Sequence, residues 1–409
     1  MKIIKNTVSL ALLFSASIAM GAGYQVVEQG AANMGTAMAG STVNANGDAS
    51  AAFWNPSSAV FVDFKDGQST MVSATLSGIF PTLSFTNQAS SPDPTNPNAR
   101  VYDDCGVDSY VPNLYAVHKF SDSIYATLSI TAPYGLESDY SKDWIGRWQG
   151  LRSYLFTLDI NPSLVYKVND WLAISGGVSA QYAYCTLSQY AMGHMRISGD
   201  SWAVGGNIGF TIKYAEDGRF GFHWRSAVRH TLEGTVAGKG IDIEADMASP
   251  DTFTIGWYQR LRGDFDRIAV MAEYAYTRWS MFDELKVIGL GTPAIRQNWQ
   301  DTSRVALGFH YYPPFDEDLV LRIGAAWDES PVRSAEEKTP RIPCCDRVWI
   351  SGGAGYTWND ITFDLSYTYI FLVGDSDINR TEMSPIPSKI NGYYSGHIHV
   401  ISAQISYKF

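Results

Sequence analysis

The sequence has few charged residues, and after position 21 it has no long hydrophobic run. Asp, Glu, Lys and Arg make up 17% of the 409 residues, against ~25% in typical soluble domains. No later segment approaches the ~18 consecutive apolar residues of a membrane-spanning helix, which excludes a helical membrane protein. The formal net charge is −11 and no basic run offsets it, which excludes nucleic-acid binding.

The sequence also lacks the motifs of the common enzyme and metal-binding families. It contains no GxSxG elbow, HExxH, Walker A loop or GxGxxG after a strand, each of which carries a defined chemistry. The cysteines show no CxxC or Cys/His spacing; they are Cys105, Cys185, Cys344 and Cys345. Spacing does not choose among their possible disulfide pairings. We therefore predict a protein that is not an enzyme and needs no metal or cofactor.

The N-terminus carries the pattern of a secretory signal peptide. Lys2 and Lys5 precede the apolar stretch VSLALLFSASIAM at 8–20, and Ala19-Met20-Gly21 is a small-x-small cleavage site. An N-terminal membrane anchor is the weaker alternative, because the apolar stretch is shorter than the ~20 residues of a spanning helix. We predict that residues 1–21 are a signal peptide and that the chain is exported.

Alternation of apolar and polar residues is abundant. In the C-terminal stretch HIHVISAQISYKF, positions 401, 403, 405, 407 and 409 are apolar or aromatic, and those between are mostly polar. A period of two places these sets on opposite faces of a strand, as a barrel wall between lipid and lumen requires. RVALGFHYY, LVLRIGAAW and ITFDLSYTYIF repeat the pattern. These stretches predict an all-β transmembrane protein, an antiparallel β-barrel; a soluble sandwich is the alternative.

Turn and loop signals separate at least ten such strands. Short polar turns occur at 169–170, 216–218, 316–318 and 359–360, and they suit tight periplasmic turns. Longer irregular stretches lie at 87–109, 136–152, 189–200 and 373–395. We predict that these four stretches are extracellular loops.

Residues 22–58 do not fit a wall of strands, because they are rich in Ala, Gly, Asn and Met and show no period of two. Their pattern predicts short helices joined by glycines. Such a segment either hangs in the periplasm or folds inside the lumen as a plug, and small residues favour the tight interior. We therefore predict a hatch at 22–58 and a barrel at 59–409.

The stretch AAFWNPSSAV, at 51–60, places a helix and strand breaker among apolar residues. Asn55 closes turns through its side chain, and Pro56 fixes φ and removes a donor. We predict that Asn55-Pro56 ends the hatch and directs the chain into the first wall strand, beside Phe53, Trp54 and Ser57. A surface turn with two exposed aromatic residues is the alternative.

Several motifs occur in a shared order along nearly all of the mature chain. They include GYQVVEQGAANMGTAMAG, FWNPS, TAPYGLESDY and, most specifically, WDESPVRSAEEKTPRIPCCDRVW. These resemble the mature N-terminus, the Asn-Pro-Ala motif (here with Ser57), the third-strand region and the Asp-x-Ser-Pro-Val and Ile-Pro-x-x-Asp-Arg-x-Trp signature of one family. That family is the FadL-type (OmpP1/FadL/TodX) outer-membrane transporters of long-chain fatty acids and aromatic hydrocarbons.

The resemblance implies a barrel of about 14 strands in the bacterial outer membrane, with a hatch in its lumen. It implies that extracellular loops capture a hydrophobic ligand, which then reaches an apolar site against the hatch. A kink in the third strand opens a lateral route to the membrane; here it falls at Ala132, Pro133, Tyr134 and Gly135. An ordinary bulge at the barrel rim is the alternative. We also expect contact with lipopolysaccharide, assembly by the barrel-assembly machinery through the strand ending at Phe409, and a monomer.

Two positions depart from the fatty-acid members of the family. Those members have basic residues near the deep site, where this sequence has Gln189 and Ile295, with Arg296 beside the latter. Gln189 and Arg296 are therefore the predicted polar positions of the ligand site. A weakened or displaced carboxylate clamp favours a neutral substrate such as a monoaromatic hydrocarbon.

Charged residues of the later strands are predicted to pair across the lumen and to fix the hatch, rather than to bind ligand. They are Arg304, Arg322, Asp328, Arg341, Asp346 and Arg347. The predicted function is passive uptake of a hydrophobic compound. A general porin is an alternative that a lumen-filling hatch disfavours, and a lipid hydrolase or adhesin is a further one.

Overall fold

The structure, a computed structural model, describes residues 22–409, and the predicted signal peptide at 1–21 lies outside the described residues. The wall is a closed antiparallel barrel of 14 strands. The first and last wall strands pair with each other from Met71 opposite Lys408 to Asn87 opposite Gly392. Closure leaves no free sheet edge in the bilayer, and the predicted fold class is confirmed.

The wall strands follow each other around the barrel in chain order. They are β1 (Thr70–Asn87), β2 (Ser109–Lys119), β3 (Ile124–Thr131 and Gly135–Asp139), β4 (Arg152–Lys167), β5 (Leu172–Tyr190), β6 (His194–Ala215), β7 (Gly218–Arg225 and Val228–Val236), β8 (Ile241–Ser249 and Thr252–Arg260), β9 (Ile268–Thr277), β10 (Thr302–Tyr311), β11 (Leu319–Asp328), β12 (Asp346–Trp358), β13 (Ile361–Val373) and β14 (Ser388–Lys408). Short strands in the connections are Tyr102–Asp104, Glu284–Leu285, Val287–Ile288, Ile295–Arg296 and Asp377–Glu382.

The predicted alternation sets the two faces of the wall. In β10, Val305, Leu307 and Phe309 point outward and are exposed, whereas the residues between them are buried against the lumen. The same arrangement holds for β13 and β14. Lipid stabilises apolar side chains on the outside, so these strands form where the period of two predicted them.

The barrel has one end with short turns and one with long connections, which we call the turn end and the loop end. The loop end carries 88–108, 140–151, 278–301, 329–345 and 374–387. The prediction of a long loop at 189–200 is wrong, because β5 and β6 pair up to Tyr190 opposite His194. Met192 (φ 53°) and Gly193 (φ 140°) close this hairpin in backbone conformations that permit a tight turn.

The hatch lies inside the barrel and is built from short helices and turns. Its helices are α1 (Ala31–Met34), α2 (Ala51–Trp54) and the 3₁₀ helices Ser41–Val43 and Pro56–Phe61. The last helix runs to Phe61 and β1 begins at Thr70, so the wall does not begin at residue 59 as predicted. Pro56 starts that helix because its fixed φ suits the first helical position. Within residues 22–409, no helix has both the length and the hydrophobicity to cross a bilayer.

Candidate functional site

An apolar cavity lies at the loop end of the barrel, and we call it the inner cavity. It has a volume of about 830 Å³, including its open mouth. Apolar side chains of β3 to β8, the hatch and the loops line it; they include Tyr24, Leu136, Leu155, Cys185, Leu187, Ile197, Leu232, Ile243, Met247 and Phe282. Such a surface binds apolar ligands by removing their area from water, at roughly 25 cal/mol/Å².

The inner cavity is apolar because the apolar residues of a wall strand occupy its inward positions toward the loop end, whereas in the membrane they occupy its outward positions. The outward residues of β6 are apolar at Trp202 and Val204, which face lipid. Nearer the loop end, the outward residues are charged, at Arg196 and Asp200. Ile197 accordingly points inward and packs with Ile243. These cavity residues were missed in the sequence, and the reversal of polarity along β6 is the signal that identifies them.

The N-terminus of the hatch contributes Tyr24 to the inner cavity. Its ring packs edge-on against Trp279 at 4.6 Å and Phe282 at 5.7 Å between ring centroids. Its hydroxyl donates a hydrogen bond to the carbonyl oxygen of Ala248 at 2.6 Å. The first residues of the hatch therefore form part of the lining of the inner cavity rather than lying beneath it.

The third wall strand is interrupted at 132–134, and we call this interruption the wall break. β2 and β3 pair only from Leu114 opposite Ile130 toward the turn end. Beyond the break, Gly135–Asp139 pairs with β4, and no pairing of this part of β3 with β2 occurs among the described residues. A bulge keeps both neighbouring ladders, whereas here one ladder ends. Pro133 contributes to this because it has no N–H to donate.

The hatch closes the wall break from the inside. The Val26 N–H donates to the Pro133 carbonyl oxygen at 2.8 Å, and the Gly135 N–H donates to the Tyr24 carbonyl oxygen at 2.9 Å. The Gln29 side chain also donates to the carbonyl oxygen of Ala132 at 3.1 Å. Residues 132–135 thus pair with the hatch and with β4, and the predicted kink lies directly beside the inner cavity.

Asn55 anchors the hatch to the wall. Its side-chain nitrogen donates to the Thr42 carbonyl oxygen at 2.8 Å and to Thr211 Oγ1 at 3.1 Å, and its oxygen accepts from Ser57 Oγ at 2.7 Å. Gly209 makes room for it, because a Cβ there would lie 2.2 Å from Asn55 Oδ1. The motif is an internal joint between hatch and wall, so the surface-turn alternative is wrong.

The two aromatic residues of the same motif pack against the wall and the hatch. Arg225 lies over the Phe53 ring at 4.4 Å and donates to the Phe53 carbonyl oxygen at 3.1 Å. Trp54 packs edge-on against Phe53, with ring centroids 5.2 Å apart. Neither aromatic residue lines the inner cavity.

Ion pairs inside the barrel connect different wall strands, and their arginines or acidic partners also bind the hatch. Arg304 lies 3.5 Å from Glu273, whose other oxygen accepts from the Thr42 N–H at 2.9 Å. Arg322 lies 2.8 Å from Asp364 and also donates to Asn46 at 3.0 Å. Sequence reasoning missed the acidic partners Glu273 and Asp364, because each lies on a different strand from its arginine, 31 and 42 residues away in the chain.

The remaining predicted charges occupy different places near the loop end. Arg347 lies 3.6 Å from Asp328 and donates to Cys344 Sγ at 3.1 Å. Asp346 accepts from the Ser330 N–H at 2.8 Å. Arg341 lines the inner cavity and is not part of these ion pairs.

A second cavity, the outer cavity, lies above the inner one among the loops and has a volume of about 1150 Å³. Gln189 and Arg296, the two predicted polar positions, both line it. Gln189 accepts a hydrogen bond from Arg341 at 2.7 Å. Leu187, Ile197 and Arg341 line both cavities, so the two spaces share a wall.

The cysteines form no disulfide in the described part of the chain, and Cys185 lines the inner cavity. The four cysteines are free thiols in the structure. Within residues 22–409, no group of His, Cys, Asp and Glu side chains is arranged to hold a metal ion. The inner cavity offers surface for binding, and its lining is mostly aliphatic and aromatic.

A closed barrel with a hatch, an apolar cavity and an interrupted wall strand defines an outer-membrane transport channel, not an enzyme. The chain belongs to the family described as outer membrane protein transport protein (OMPP1/FadL/TodX), whose model matches residues 12–409. The long-chain fatty acid transport protein of Escherichia coli O6:H1 is 26% identical over 419 residues, covering 90% of each chain. Outer membrane protein P1 of Haemophilus influenzae is 26% identical over 309 residues, covering 64% of this chain and 66% of that protein.

Solved structures show the same fold. A Pseudomonas aeruginosa FadL homologue superimposes with a TM-score of 0.83 at 22% identity, covering 94% of this chain and 99% of that one. The Ralstonia pickettii toluene transporter TbuX superimposes with a TM-score of 0.65 at 16% identity, covering 92% and 97%. The protein is therefore an outer-membrane transporter of the family that carries fatty acids or hydrocarbons.

Proposed function

We propose that this protein takes up hydrophobic compounds passively, and that they leave the barrel sideways through the wall break. A ligand from outside first meets the outer cavity, then binds in the inner cavity, then passes between β2 and β3 into the membrane. One observation carries the proposal: Tyr24 lines the inner cavity, and its carbonyl oxygen is bonded to Gly135 at the break. A ligand that displaces Tyr24 therefore also loosens the closure.

The alternative of a water-filled porin is disfavoured by how closely the hatch fits the wall. A Cβ at Gly324 would lie 2.2 Å from the Thr36 backbone, which leaves no space for water between hatch and strand. Conductance of the purified protein in a planar bilayer separates the two functions. We expect no large and stable open state, and a steady large conductance contradicts the proposal.

The lateral route is tested by restoring a regular strand at the break. Pro133→Val together with Gly135→Val supplies an N–H and β-forming side chains; space is available, because a Cβ at Gly135 meets its nearest atoms at 3.5 Å. We expect uptake of labelled oleate and toluene to fall to the rate of cells without the protein, while the barrel keeps its heat-modifiable migration. Pro162→Val, at an exposed wall position of β4, is the control. Unchanged uptake by the double variant contradicts lateral exit.

The remaining partners stay predictions. Lipopolysaccharide contact at the loop end, assembly through the strand ending at Phe409, a monomeric state and removal of residues 1–21 are each expected from the fold class. The names of the relatives supply two ligand classes, long-chain fatty acids and toluene.

A further inference from the structure

A polar groove lies on the outer face of the barrel at the loop end, and we call it the rim groove. It has a volume of about 960 Å³, including its open mouth. The connection 140–151 and the hairpin of β5 and β6 form its sides. The lining residues that carry charge or hydrogen bonds include Asp139, Lys142, Arg152, Ser188, His194 and Arg196.

One row of outward side chains crosses four wall strands and forms the floor of the rim groove. Asp139 of β3 pairs with Arg152 of β4, and Ser188 of β5 pairs with Arg196 of β6. The Arg152 N–H donates to Ser188 Oγ at 3.0 Å, which joins the two halves of the row. Leu187, next to Ser188, points the other way and lines the inner cavity. The rim groove is therefore on the opposite face of the wall from the inner cavity.

Strand β6 shows how high the rim groove lies. Its outward residues Trp202 and Val204 are apolar and exposed to lipid, and an exposed Trp is typical of the membrane interface. Arg196 lies nearer the loop end, roughly 15 Å above Trp202 for a strand that rises ~3.3 Å per residue at a tilt of ~40°. The groove therefore opens above the hydrocarbon, in the layer of lipid headgroups, sugars and phosphates.

Cations outnumber free carboxylates in the rim groove. Lys142 and Arg196 are exposed and form no ion pair within residues 22–409. Arg152 donates to Glu137 through Nε at 2.9 Å and Nη2 at 2.6 Å, and its Nη1 makes no hydrogen bond within the same residues. Asp139 is exposed and is the carboxylate of the groove that no cation binds. An anion that enters the groove therefore meets three positive groups and one negative group.

The neighbouring outer face, from β6 to β8, carries the opposite charge. Asp200 lies opposite Glu233, and Glu233 lies opposite Glu244, in one row across three strands. All three carboxylates are exposed. The cation excess is thus a local feature of the rim groove in a chain whose net charge is −11. An anionic headgroup is attracted to the groove and repelled from the face beside it.

We propose that the rim groove binds a phosphate group of lipopolysaccharide through Arg196, Lys142 and the Nη1 side of Arg152. Basic clusters at a membrane surface attract anionic headgroups, and a planar guanidinium can hold two phosphate oxygens at once. The inference does not depend on the uptake function. It gives the lipopolysaccharide contact that the fold class predicts a defined site and a defined chemistry.

A phosphate in the rim groove stabilises the half of β3 that follows the wall break. Gly135–Asp139 pairs with β4, and its Glu137 is bound to Arg152 at 2.6 Å. A phosphate shared by Arg152 and Arg196 therefore links this half strand to β6. Added lipopolysaccharide should accordingly slow hydrogen exchange of the amides at 136–139.

Two forms of one lipid test the chemistry of the site. The purified full-length protein, in a non-ionic detergent with EDTA, is titrated with rough-form lipopolysaccharide and with the same lipid after its phosphates are removed. EDTA prevents divalent cations from bridging phosphates to the acidic face of β6 to β8. We expect the phosphorylated form to bind roughly tenfold to a hundredfold more tightly, as for charge-assisted hydrogen bonds. Equal binding of the two forms overturns the proposal.

Charge-changing variants locate the site. Lys142→Gln together with Arg196→Gln should reduce binding of the phosphorylated form to that of the dephosphorylated form. Lys239→Gln with Lys286→Gln is the matched control, because both lysines are exposed at the loop end and neither lines the groove. An equal loss in the control shows attraction by overall charge and overturns the proposed site.

Asp139→Asn gives a change in the opposite direction. It removes the unpaired carboxylate and should strengthen binding of the phosphorylated form by roughly twofold to fivefold, as for an exposed charge pair. A merely structural role of Asp139 predicts no gain, so an unchanged or weaker affinity contradicts the placement of the phosphate.

Competition and hydrogen exchange complete the test. Inorganic phosphate at the same ionic strength should not displace the lipid, because the lipid is also held by its contact with the apolar wall; complete displacement shows a site for free anions and overturns the lipid assignment. Lipopolysaccharide should protect the amides at 136–139 in the wild type and not in the Lys142→Gln, Arg196→Gln variant. Equal protection in both proteins overturns the proposed contact.

Discussion

The Gly135 N–H donates a hydrogen bond to the carbonyl oxygen of Tyr24, at 2.9 Å. On the side where β3 has lost its pairing with β2, the Gly135 N–H therefore bonds to the hatch instead of to a wall strand. The Tyr24 side chain in turn packs in the aromatic cluster beside the inner cavity. Tyr24 therefore contacts both the inner cavity and the wall break, which is the basis of the coupling proposed above.

Tyr24→Ala should loosen the closure without unfolding the barrel. Removing a buried aromatic side chain costs about 3–5 kcal/mol, and the loss falls on the first residues of the hatch. We expect the amides of Val26 and Gly135 to exchange hydrogen faster in exchange mass spectrometry, while β10 to β14 keep their protection. Tyr166→Ala, at an exposed wall position, is the control. Equal loss of protection in all strands contradicts this account.

Asn55→Ala should impair transport more than barrel stability. The variant removes the bonds to Thr42 and Thr211, and the hatch loses about 2–3 kcal/mol of anchoring. We expect a changed uptake rate at a nearly constant unfolding midpoint, measured by heat-modifiable migration. Asn98→Ala, in an exposed loop, should change neither. If stability and uptake fall together, Asn55 is a structural residue only.

Gly324→Ala should displace the hatch and open a water path. The added Cβ would lie 2.2 Å from the Thr36 backbone, a contact that backbone atoms do not tolerate. We expect larger or more frequent channel openings in planar bilayers than for the wild type. Gly176→Ala is the matched control, because its Cβ meets its nearest atom at 3.9 Å. Identical conductance in the two variants shows that the hatch does not seal the lumen there.

Glu28 should make the hatch less stable as the pH rises. Burial raises the pKa of this carboxyl to about 7 from 4.5, against the opposing attraction of Arg347, and neither carboxylate oxygen has a partner among the described residues. The folded hatch therefore holds the proton that the unfolded chain releases near pH 4.5. Stability present at low pH is lost as the pH rises toward 7, on the order of a few kcal/mol.

Glu28→Gln removes this titration. Hatch protection, measured by hydrogen exchange between pH 4.5 and 8, should become nearly independent of pH once the intrinsic exchange rate is corrected. Above pH 7 the variant should be more protected than the wild type, because a neutral amide costs less to bury than a carboxylate. A wild type whose hatch gains protection with rising pH contradicts the prediction.

The strands of the membrane-facing wall were predictable because lipid acts on each residue separately. Val305, Leu307 and Phe309 meet the same solvent whatever the rest of the chain does, so a period of two is sufficient to identify β10. The hatch was predictable for the converse reason, since residues 22–58 have no such period. The family motifs supplied the strand number.

The site was less predictable because its properties arise between distant segments. Arg341 was expected to pair like Arg304 and Arg322, and only the packed loops reveal that it bonds to Gln189 and forms no ion pair within residues 22–409. The inner cavity was missed because Ile197 and Ile243 carry reversed alternation. The hairpin at 189–200 was missed for the same reason, as its outward face is polar beyond the membrane.

The change in polarity of the outward residues along β6 determines how far the barrel extends beyond the membrane. The outward residues are apolar at Trp202 and Val204 and polar at Arg196 and Asp200. The bilayer surface therefore lies between these two groups. The inner cavity, lined by Ile197, lies on the extracellular side of that bilayer surface. On the proposed route, a hydrophobic ligand therefore leaves water for the inner cavity before it enters the lipid.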